Sequence, residues 1–182
     1  MPDHVRCCVR DATNPLKTAH LLAMNEMGAT GSVSLHTADL LTPGDYDEPF
    51  AGCCGVFHAG AVLERDHAGG MAGSGDDVTG EDIYRGGFDA TKNVLESVEK
   101  SGTVKRVVFT SSTAAVMGAK PYPHVHSEAD WSDGGDRDGP KIELPVAYAK
   151  SKCDSERLAY DWAERVGLKF DCISHQPAHV MG

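Results

Sequence analysis

The chain has 182 residues, of which 41% are hydrophobic and 24% are charged, so it can build a packed core and does not have the composition of a disordered segment. Its formal net charge of −10 argues against a nucleic-acid partner, because phosphate binding needs an excess of basic residues. No stretch of about 18 apolar residues occurs, and the first residues do not form a secretory signal. We therefore expect no membrane partner and a cytoplasmic location.

The six cysteines include two adjacent pairs, Cys7-Cys8 and Cys53-Cys54. Neighbouring residues on a strand point to opposite faces of the sheet, and no C-x-x-C spacing is present. The pattern therefore predicts reduced, structural thiols.

Short apolar strands alternate along the chain with segments of helical period. In chain order the pattern predicts a strand at 4–9, a helix at 15–27, a strand at 32–38, a short helix at 44–51, a strand at 55–60, a helix at 79–100, a strand at 105–112, a helix at 146–166 and a strand at 168–177. Thr79, with Asp82 three residues later, is a variant of a capping box, and Gly102 and Gly167 are typical of helix ends. Strands joined by crossover helices indicate a parallel, doubly wound α/β sheet.

Two segments interrupt this alternation. The glycine-rich segment 62–78 is expected to be a mobile loop, and the acidic segment 118–145 is a long loop in which Trp131 is expected to be an anchor. Within the second segment His124 and His126 could suggest a metal pair. With Glu128 as the nearby carboxylate and no third histidine, we expect no metal site.

A candidate catalytic group follows the strand at 105–112. Ser111 and Ser112 lie at the carboxyl end of that strand, and Tyr148 and Lys152 lie four residues apart on the next predicted helix. Residues at this spacing share one face of a helix, and the carboxyl ends of parallel strands border the ligand crevice. We therefore expect these side chains to converge.

The chemistry explains why these residue types belong together. An ordinary phenol has a pKa of ~10, and an ammonium ~4 Å away favours the phenolate by ~4 kcal/mol at an effective dielectric of ~20. Such a phenol can exchange a proton with a carbonyl or alcohol, while a serine hydroxyl hydrogen-bonds the same oxygen. The lysine could also reach the ribose hydroxyls of a nucleotide.

Seven segments, in this order, carry a family resemblance: VRCCVRDATNPLK, ADL, GVFHAGA, VKRVVFTSS, EADWSD, YAKSKCDSE and ISHQPAHVMG. The chain resembles the extended short-chain dehydrogenases/reductases of the NAD-dependent epimerase/dehydratase superfamily, and most of all the dihydroflavonol 4-reductase and cinnamoyl-CoA reductase branch. The resemblance implies a Rossmann-like fold and a catalytic triad of Ser112, Tyr148 and Lys152. Ser112 is preferred to Ser111 because the family uses the second serine of TSS.

The resemblance also implies a site for NADP, with NAD less favoured. Arg10 and Lys17 match basic residues that meet the 2′-phosphate, where a carboxylate would instead favour NAD. The other positions that match cofactor contacts are Asp39, Leu40, Ala59, Gly60, Ala61, Tyr148, Lys152, Pro177 and His179. By contrast, His58 is expected to be a packing residue, and Trp162 a core residue.

The family's first strand and its GxxGxxG turn have no counterpart in the sequence, and the glycines at 69–75 follow no strand directly. We therefore expect residues 1–182 to be a partial NAD(P)-binding domain that lacks a central strand and the substrate-binding lobe. The missing strand would contribute ~10 ladder hydrogen bonds at ~1 kcal/mol each and four or five buried side chains at ~1.5–3 kcal/mol each. This sum rivals the whole stability of a domain, so the chain alone is expected to fold poorly, or to close the gap by non-native pairing, and to bind NADP weakly.

The expected function is reduction of a carbonyl, or oxidation of an alcohol, on a small molecule such as a dihydroflavonol, a cinnamoyl compound or another aldehyde or ketone. One alternative is a sugar-nucleotide epimerase or hydroxysteroid dehydrogenase of the same superfamily. The other is an inactive, truncated nucleotide-binding relative. The sequence determines neither the substrate nor the oligomeric state.

Overall fold

Parallel strands and helices alternate in the computed structural model, which describes residues 3–28, 30–61, 79–117, 123–132, 144–165, 167 and 170–178. The strands are β1 (His4–Val9), β2 (Ser32–Thr37), β3 (Gly55–His58), β4 (Arg106–Thr110) and β5 (Asp171–His175). The helices are α1 (Pro15–Ala23), α2 (Asp47–Phe50), α3 (Gly80–Ser101) and α4 (Leu144–Ala163), with 3₁₀ turns at Met24–Glu26 and Thr113–Ala115. The predicted order of elements is confirmed; the segment 62–78 lies outside the described residues.

Local signals fix the ends of α3. Thr79 accepts a hydrogen bond from the backbone of Asp82, whose side chain accepts one in return, and Gly102 ends the helix with a φ of 63°. Glycine adopts this left-handed conformation readily because glycine has no Cβ. The predicted helix at 15–27 ends earlier, at Ala23, and continues as a 3₁₀ turn. The predicted helix at 146–166 instead covers Leu144–Ala163.

The strands form two parallel groups, one with the order β1-β2 and the other with the order β3-β4-β5. Val5 pairs with Val33 in the first group, and Val56, Val107 and Cys172 are in register across the second. Among the described residues, no hydrogen-bonded ladder connects the two groups, and β1 does not pair with β3. The parallel α/β fold is confirmed, and it is divided into these two groups of strands.

The core lies between β3-β4-β5 and the helix pair α3 and α4. It contains apolar side chains from both layers and from the β2–α2 segment: Ala38, Tyr46, Phe50, Val56, Val94, Leu95, Val98, Val104, Val107, Ala159, Trp162 and Phe170. Trp162 is a core residue, as predicted, and its indole nitrogen donates to Glu99 at 2.9 Å. The two helices approach closely where Gly87 meets Ser151, whose Oγ would lie 2.0 Å from a Cβ built at position 87.

The opposite face of β3-β4-β5 is open in the described part of the chain. Phe57, Val108 and Ile173 form one row across the three strands. Phe57 is 82% exposed and Ile173 is 47% exposed. A row of apolar side chains in water adds nothing to stability by burial, so this half is held by the α3 and α4 layer.

Within the predicted loop at 118–145, residues 123–132 are described before α4 begins, and this segment is anchored to the rest of the protein. The Ser132 amide donates to the carbonyl of Ala115 at 2.6 Å. The guanidinium of Arg157 on α4 lies 4.8 Å from the centre of the Trp131 ring. These contacts support the expected anchoring role of Trp131.

All six cysteines are free thiols, as expected. None of the helices in the described ranges is both long and apolar enough to cross a membrane.

Candidate active site

The ends of β4 and β5 place Ser112 beside Pro177. The Ser111 amide donates to the His175 carbonyl at 3.0 Å, and the Thr113 amide donates to the Pro177 carbonyl at 3.2 Å. The chain leaves β4 at Thr110, two residues earlier than predicted, so the serines follow the ladder rather than belong to it. Two predicted site positions that are far apart in the sequence, Ser112 and Pro177, therefore meet.

The two serines differ in how much of the side chain is accessible. Ser111 is only 2% exposed, whereas Ser112 is half-buried. The Oγ of Ser112 accepts a hydrogen bond from the Ala114 amide at 3.2 Å. The hydroxyl proton of Ser112 can still be donated, and Ser112 is the more accessible of the two serines.

Lys152 links α4 to the end of β4. Its Nζ donates to the carbonyl of Thr110 at 3.1 Å and lies 6.0 Å from the centre of the Tyr148 ring. Burial lowers the pKa of Lys152, and the charge of Glu156 partly opposes this effect. The lysine is thus beside both Tyr148 and the carboxyl end of β4, two residues before Ser112.

Glu156, which the sequence analysis did not single out, lies one helical turn beyond Lys152. It is only 2% exposed, and its Oε1 accepts hydrogen bonds from Ser174 and, at 2.7 Å, from Gln176. Because these partners belong to the end of β5, Glu156 ties α4 to the segment that leads into Pro177. The spacing 148, 152, 156 on one helical face was the available signal.

His58, at the end of β3, is a buried neighbour of this group. Its Nε2 lies 3.3 Å from the Thr91 hydroxyl, and its ring centre lies 5.4 Å from that of Phe109. Burial lowers the pKa of His58 to about 4, with a smaller contribution from the charge of Lys152. The imidazole is therefore neutral at ordinary pH, in keeping with the expected packing role.

A second group of predicted positions meets where β2 and β3 end. A Cβ at Gly60 would lie 2.9 Å from Cδ1 of Leu40, so glycine allows this close approach. The Leu40 carbonyl accepts from Asn93 of α3 at 2.9 Å, and Asp39 Oδ1 accepts from the Leu41 amide at 2.8 Å. Ala59 and Ala61 are exposed beside Gly60.

The predicted basic residues Arg10 and Lys17 are exposed after β1 and on the first turn of α1. Asp11 between them is engaged locally, because its Oδ1 accepts from the Thr13 hydroxyl at 2.6 Å and from the Thr13 amide at 2.9 Å. These hydrogen bonds lower the pKa of Asp11, with a smaller contribution from Lys17. The carboxylate is thus turned into its own loop, and the two cations are accessible to an anion.

The described residues fit a nucleotide in part. The accessible cations Arg10 and Lys17 follow β1, and the exposed residues Ala59, Gly60 and Ala61 follow β3. Lys152, which could meet ribose, lies at the end of β4. The remaining predicted cofactor position, His179, lies outside the described residues. The fold and these side chains define a Rossmann-type α/β domain with a Ser, Tyr and Lys group at the carboxyl ends of its strands.

Comparison with known proteins gives relatives over nearly the whole chain. A dihydroflavonol 4-reductase of Arabidopsis thaliana is 33% identical over 185 residues, a match that covers 98% of this chain and 43% of the relative. A cinnamoyl-CoA reductase of Medicago truncatula is 31% identical over 180 residues, covering 98% of this chain and 50% of the relative. No model of a protein family matches.

Solved structures support the fold. A yeast methylglyoxal/isovaleraldehyde reductase complexed with NADPH has a TM-score of 0.74 at 23% identity, covering 98% of this chain and 51% of that chain. Vestitone reductase from alfalfa has a TM-score of 0.66 at 23% identity, covering 94% of this chain and 47% of that chain.

The predicted resemblance is thereby confirmed. The homologues of this chain are reductases of the dihydroflavonol 4-reductase and cinnamoyl-CoA reductase type, within the extended short-chain dehydrogenases/reductases. The chain spans about half the length of the curated relatives that it matches.

Proposed function

We propose that this chain is the nucleotide-binding and catalytic portion of an NADP(H)-dependent carbonyl reductase that acts on a small aldehyde or ketone. The observation that carries the proposal is the position of Lys152, 3.1 Å from the Thr110 carbonyl and 6.0 Å from the centre of the Tyr148 ring. This position supports the proposal because it puts an ammonium group beside Tyr148 and beside the end of β4, which Ser112 follows.

Each side chain has a distinct role in the proposed reaction. Ser112 donates a hydrogen bond to the substrate carbonyl oxygen, which polarises the carbonyl group. Tyr148 donates the proton that this oxygen takes up as it becomes a hydroxyl. The ammonium of Lys152 stabilises the phenolate that remains, because a positive charge at this range favours the anion. NADPH, when bound, supplies the hydride that reduces the carbonyl carbon.

The proposed cofactor rests on accessible cations and on relatives. Arg10 and Lys17 suit a 2′-phosphate, since a guanidinium forms paired, charge-assisted hydrogen bonds with phosphate oxygens. The yeast reductase of similar fold is complexed with NADPH. Leu40 and Gly60 would border the adenine side, and Pro177 and Lys152 the nicotinamide and ribose. The same basic pair favours a reductase over an epimerase that retains NAD.

The test follows NADPH oxidation by the purified chain against a panel of aldehydes and ketones, with kcat/KM measured at subsaturating NADPH because weak binding is expected. Tyr148→Phe, which removes the proton donor, should lower kcat/KM by about 10²–10⁴-fold. Tyr160→Phe, on the same helix but bonded to Ser174, is the matched control and should retain activity. No NADPH-dependent turnover, or equal losses in both variants, would overturn the proposal.

Cofactor choice is tested separately by binding. Replacing Arg10 and Lys17 by Ala should weaken NADPH binding about 10-fold or more, since a charge-assisted hydrogen bond contributes ~1.5–3 kcal/mol. Binding of NADH, which has a free hydroxyl at that position, should change little. An equal loss for both nucleotides would place the 2′-phosphate elsewhere.

A further inference from the structure

Three metal-ligating side chains meet in the anchored loop segment 123–132. The ligand atoms of His124, His126 and Asp130 all lie within 4.8 Å of one another. The Nε2 of His124 is already 3.1 Å from Oδ1 of Asp130, and the two imidazole centres are 4.7 Å apart at 81°. We propose that these three residues form a binding site for a zinc-type divalent metal ion.

The distances suit such an ion after a small contraction. Zinc binds imidazole nitrogen and carboxylate oxygen at about 2.0–2.2 Å, which places tetrahedral ligand atoms roughly 3.3 Å apart. The pair of His124 and Asp130 meets this separation already. The remaining approach is about 1.5 Å at most, and His124 and His126 are exposed side chains that can rotate to achieve it.

The carboxylate is held in the orientation that the site requires. Oδ2 of Asp130 accepts from the Ser127 amide at 2.9 Å and from the Ser127 hydroxyl at 3.3 Å, which turns Oδ1 toward the histidines. Protein carboxylates that bind metals are commonly fixed by such a second hydrogen bond. The carboxylate near the histidines is thus Asp130 and not Glu128, which the sequence suggested. With this third ligand in place we propose a metal site where the sequence predicted none.

The segment that presents the three ligands is fixed to the body of the protein. Ser132 bonds Ala115 through its amide, and its carbonyl accepts from the Cys153 thiol at 3.1 Å. Because the segment is already ordered, metal binding loses less conformational entropy. The set of two neutral imidazoles and one carboxylate leaves a fourth position for water, and imidazole and carboxylate together favour zinc, cobalt or nickel over calcium or magnesium.

The test is a titration of the untagged, chelator-treated full chain with Zn²⁺ and, for spectroscopy, with Co²⁺, in the absence of nucleotide. We expect one equivalent bound with a micromolar dissociation constant, and a Co²⁺ spectrum without strong thiolate charge-transfer bands. His124→Ala, His126→Ala and Asp130→Asn should each weaken binding at least about 10-fold, equivalent to ~1.4 kcal/mol. His20→Ala, which removes an exposed histidine of α1, should not.

The thiols are the main competing ligands, and two of them are poor ones. Burial raises the pKa of Cys8 and of Cys172 to about 11, so these thiols stay protonated at neutral pH. Circular dichroism of each variant checks that its fold is retained. No bound equivalent, a thiolate-dominated Co²⁺ spectrum, or a loss in His20→Ala equal to that in His124→Ala would overturn the proposal.

Discussion

Lowering the pH from 7 to 5 is expected to destabilise the β3-β4-β5 half of the protein through His58. The side chain is only 6% exposed, and its polar contact is with the Thr91 hydroxyl at 3.3 Å. Burial lowers the pKa of His58 to about 4 from an ordinary value of 6.5. The charged imidazolium is disfavoured inside the fold and free to form in the unfolded chain.

The sign follows from where the protons bind. Between about pH 6.5 and pH 4 the unfolded chain binds a proton at this position and the folded chain does not, so stability rises with pH across that window. Above pH 6.5 the imidazole is neutral in both states, so His58 does not lower the free energy of unfolding. Below pH 6.5 the free energy of unfolding falls with the pH. A shift of one pKa unit corresponds to ~1.4 kcal/mol, so the loss is about 2 kcal/mol at pH 5 and about 3 kcal/mol at pH 4.

The assay is urea unfolding followed by tryptophan fluorescence at pH 7 and pH 5, because Trp131 and Trp162 both contact elements of this half. The matched variant is His58→Gln, which keeps a hydrogen-bonding group but has no titration in this range, and its difference between the two pH values should be smaller by about 2 kcal/mol. Should that variant not fold, the imidazole of the unmodified chain can be titrated by NMR. A His58 pKa above 6 would refute the reasoning.

Two further predictions concern packing and the divided sheet. Gly87→Ala should lower the free energy of unfolding by about 1–3 kcal/mol, because its Cβ would lie 2.0 Å from Ser151 Oγ. That hydroxyl would have to leave its hydrogen bond with the Tyr84 carbonyl, and the new methyl group would still overpack the contact with Ser151. Ser151→Ala in the same chain should restore part of the loss, and strict additivity in this double-mutant cycle would contradict the contact. The isolated chain should unfold over a broad urea range, with the β1-β2 half first, and should bind NADPH more weakly than micromolar. A single cooperative transition together with micromolar binding would refute that expectation.

The sequence predicted well those parts of the fold that local chemistry decides. The start and end of α3 follow from Thr79 and Gly102, whose effects need only a few neighbouring residues. The strand predicted at 4–9 matches β1. The other four strands were predicted too long, because residues typical of strands continue beyond the ladder and only tertiary pairing shows where it stops. The approach of Gly87 to Ser151 joins residues 64 positions apart, and no periodicity signals such a pair.

The candidate site shows the same division. The group formed by Tyr148, Lys152 and the end of β4 could be predicted, since helical spacing and strand polarity determine which side chains share an edge. The third residue of the cluster formed with His124 and His126, which is Asp130, could not be predicted. In an extended chain Glu128 would lie beside the histidines. The chain instead turns where the Asp130 amide donates to the Ser127 carbonyl at 3.1 Å, and this turn places Asp130 in the position expected for Glu128.

The junction between the two strand groups explains why the β1-β2 half should unfold first. Within the described residues no ladder crosses from β1 to β3, so the continuous chain from β2 to β3 and contacts of side chains join the two halves. Polar links between the β2–α2 segment and α3 include Asn93 to the Leu40 carbonyl at 2.9 Å, Ser97 to Asp47 at 2.8 Å and the pair of Lys100 with Asp47. Each contributes about 1 kcal/mol or less, and Tyr46 and Phe50 add apolar contacts. Arg10 and Lys17 belong to the β1-β2 half and Lys152 belongs to α4 in the other half, so a bound nucleotide would have to contact both halves. Weak nucleotide binding and early unfolding of this half are therefore two consequences of one junction, and stabilising it should improve both.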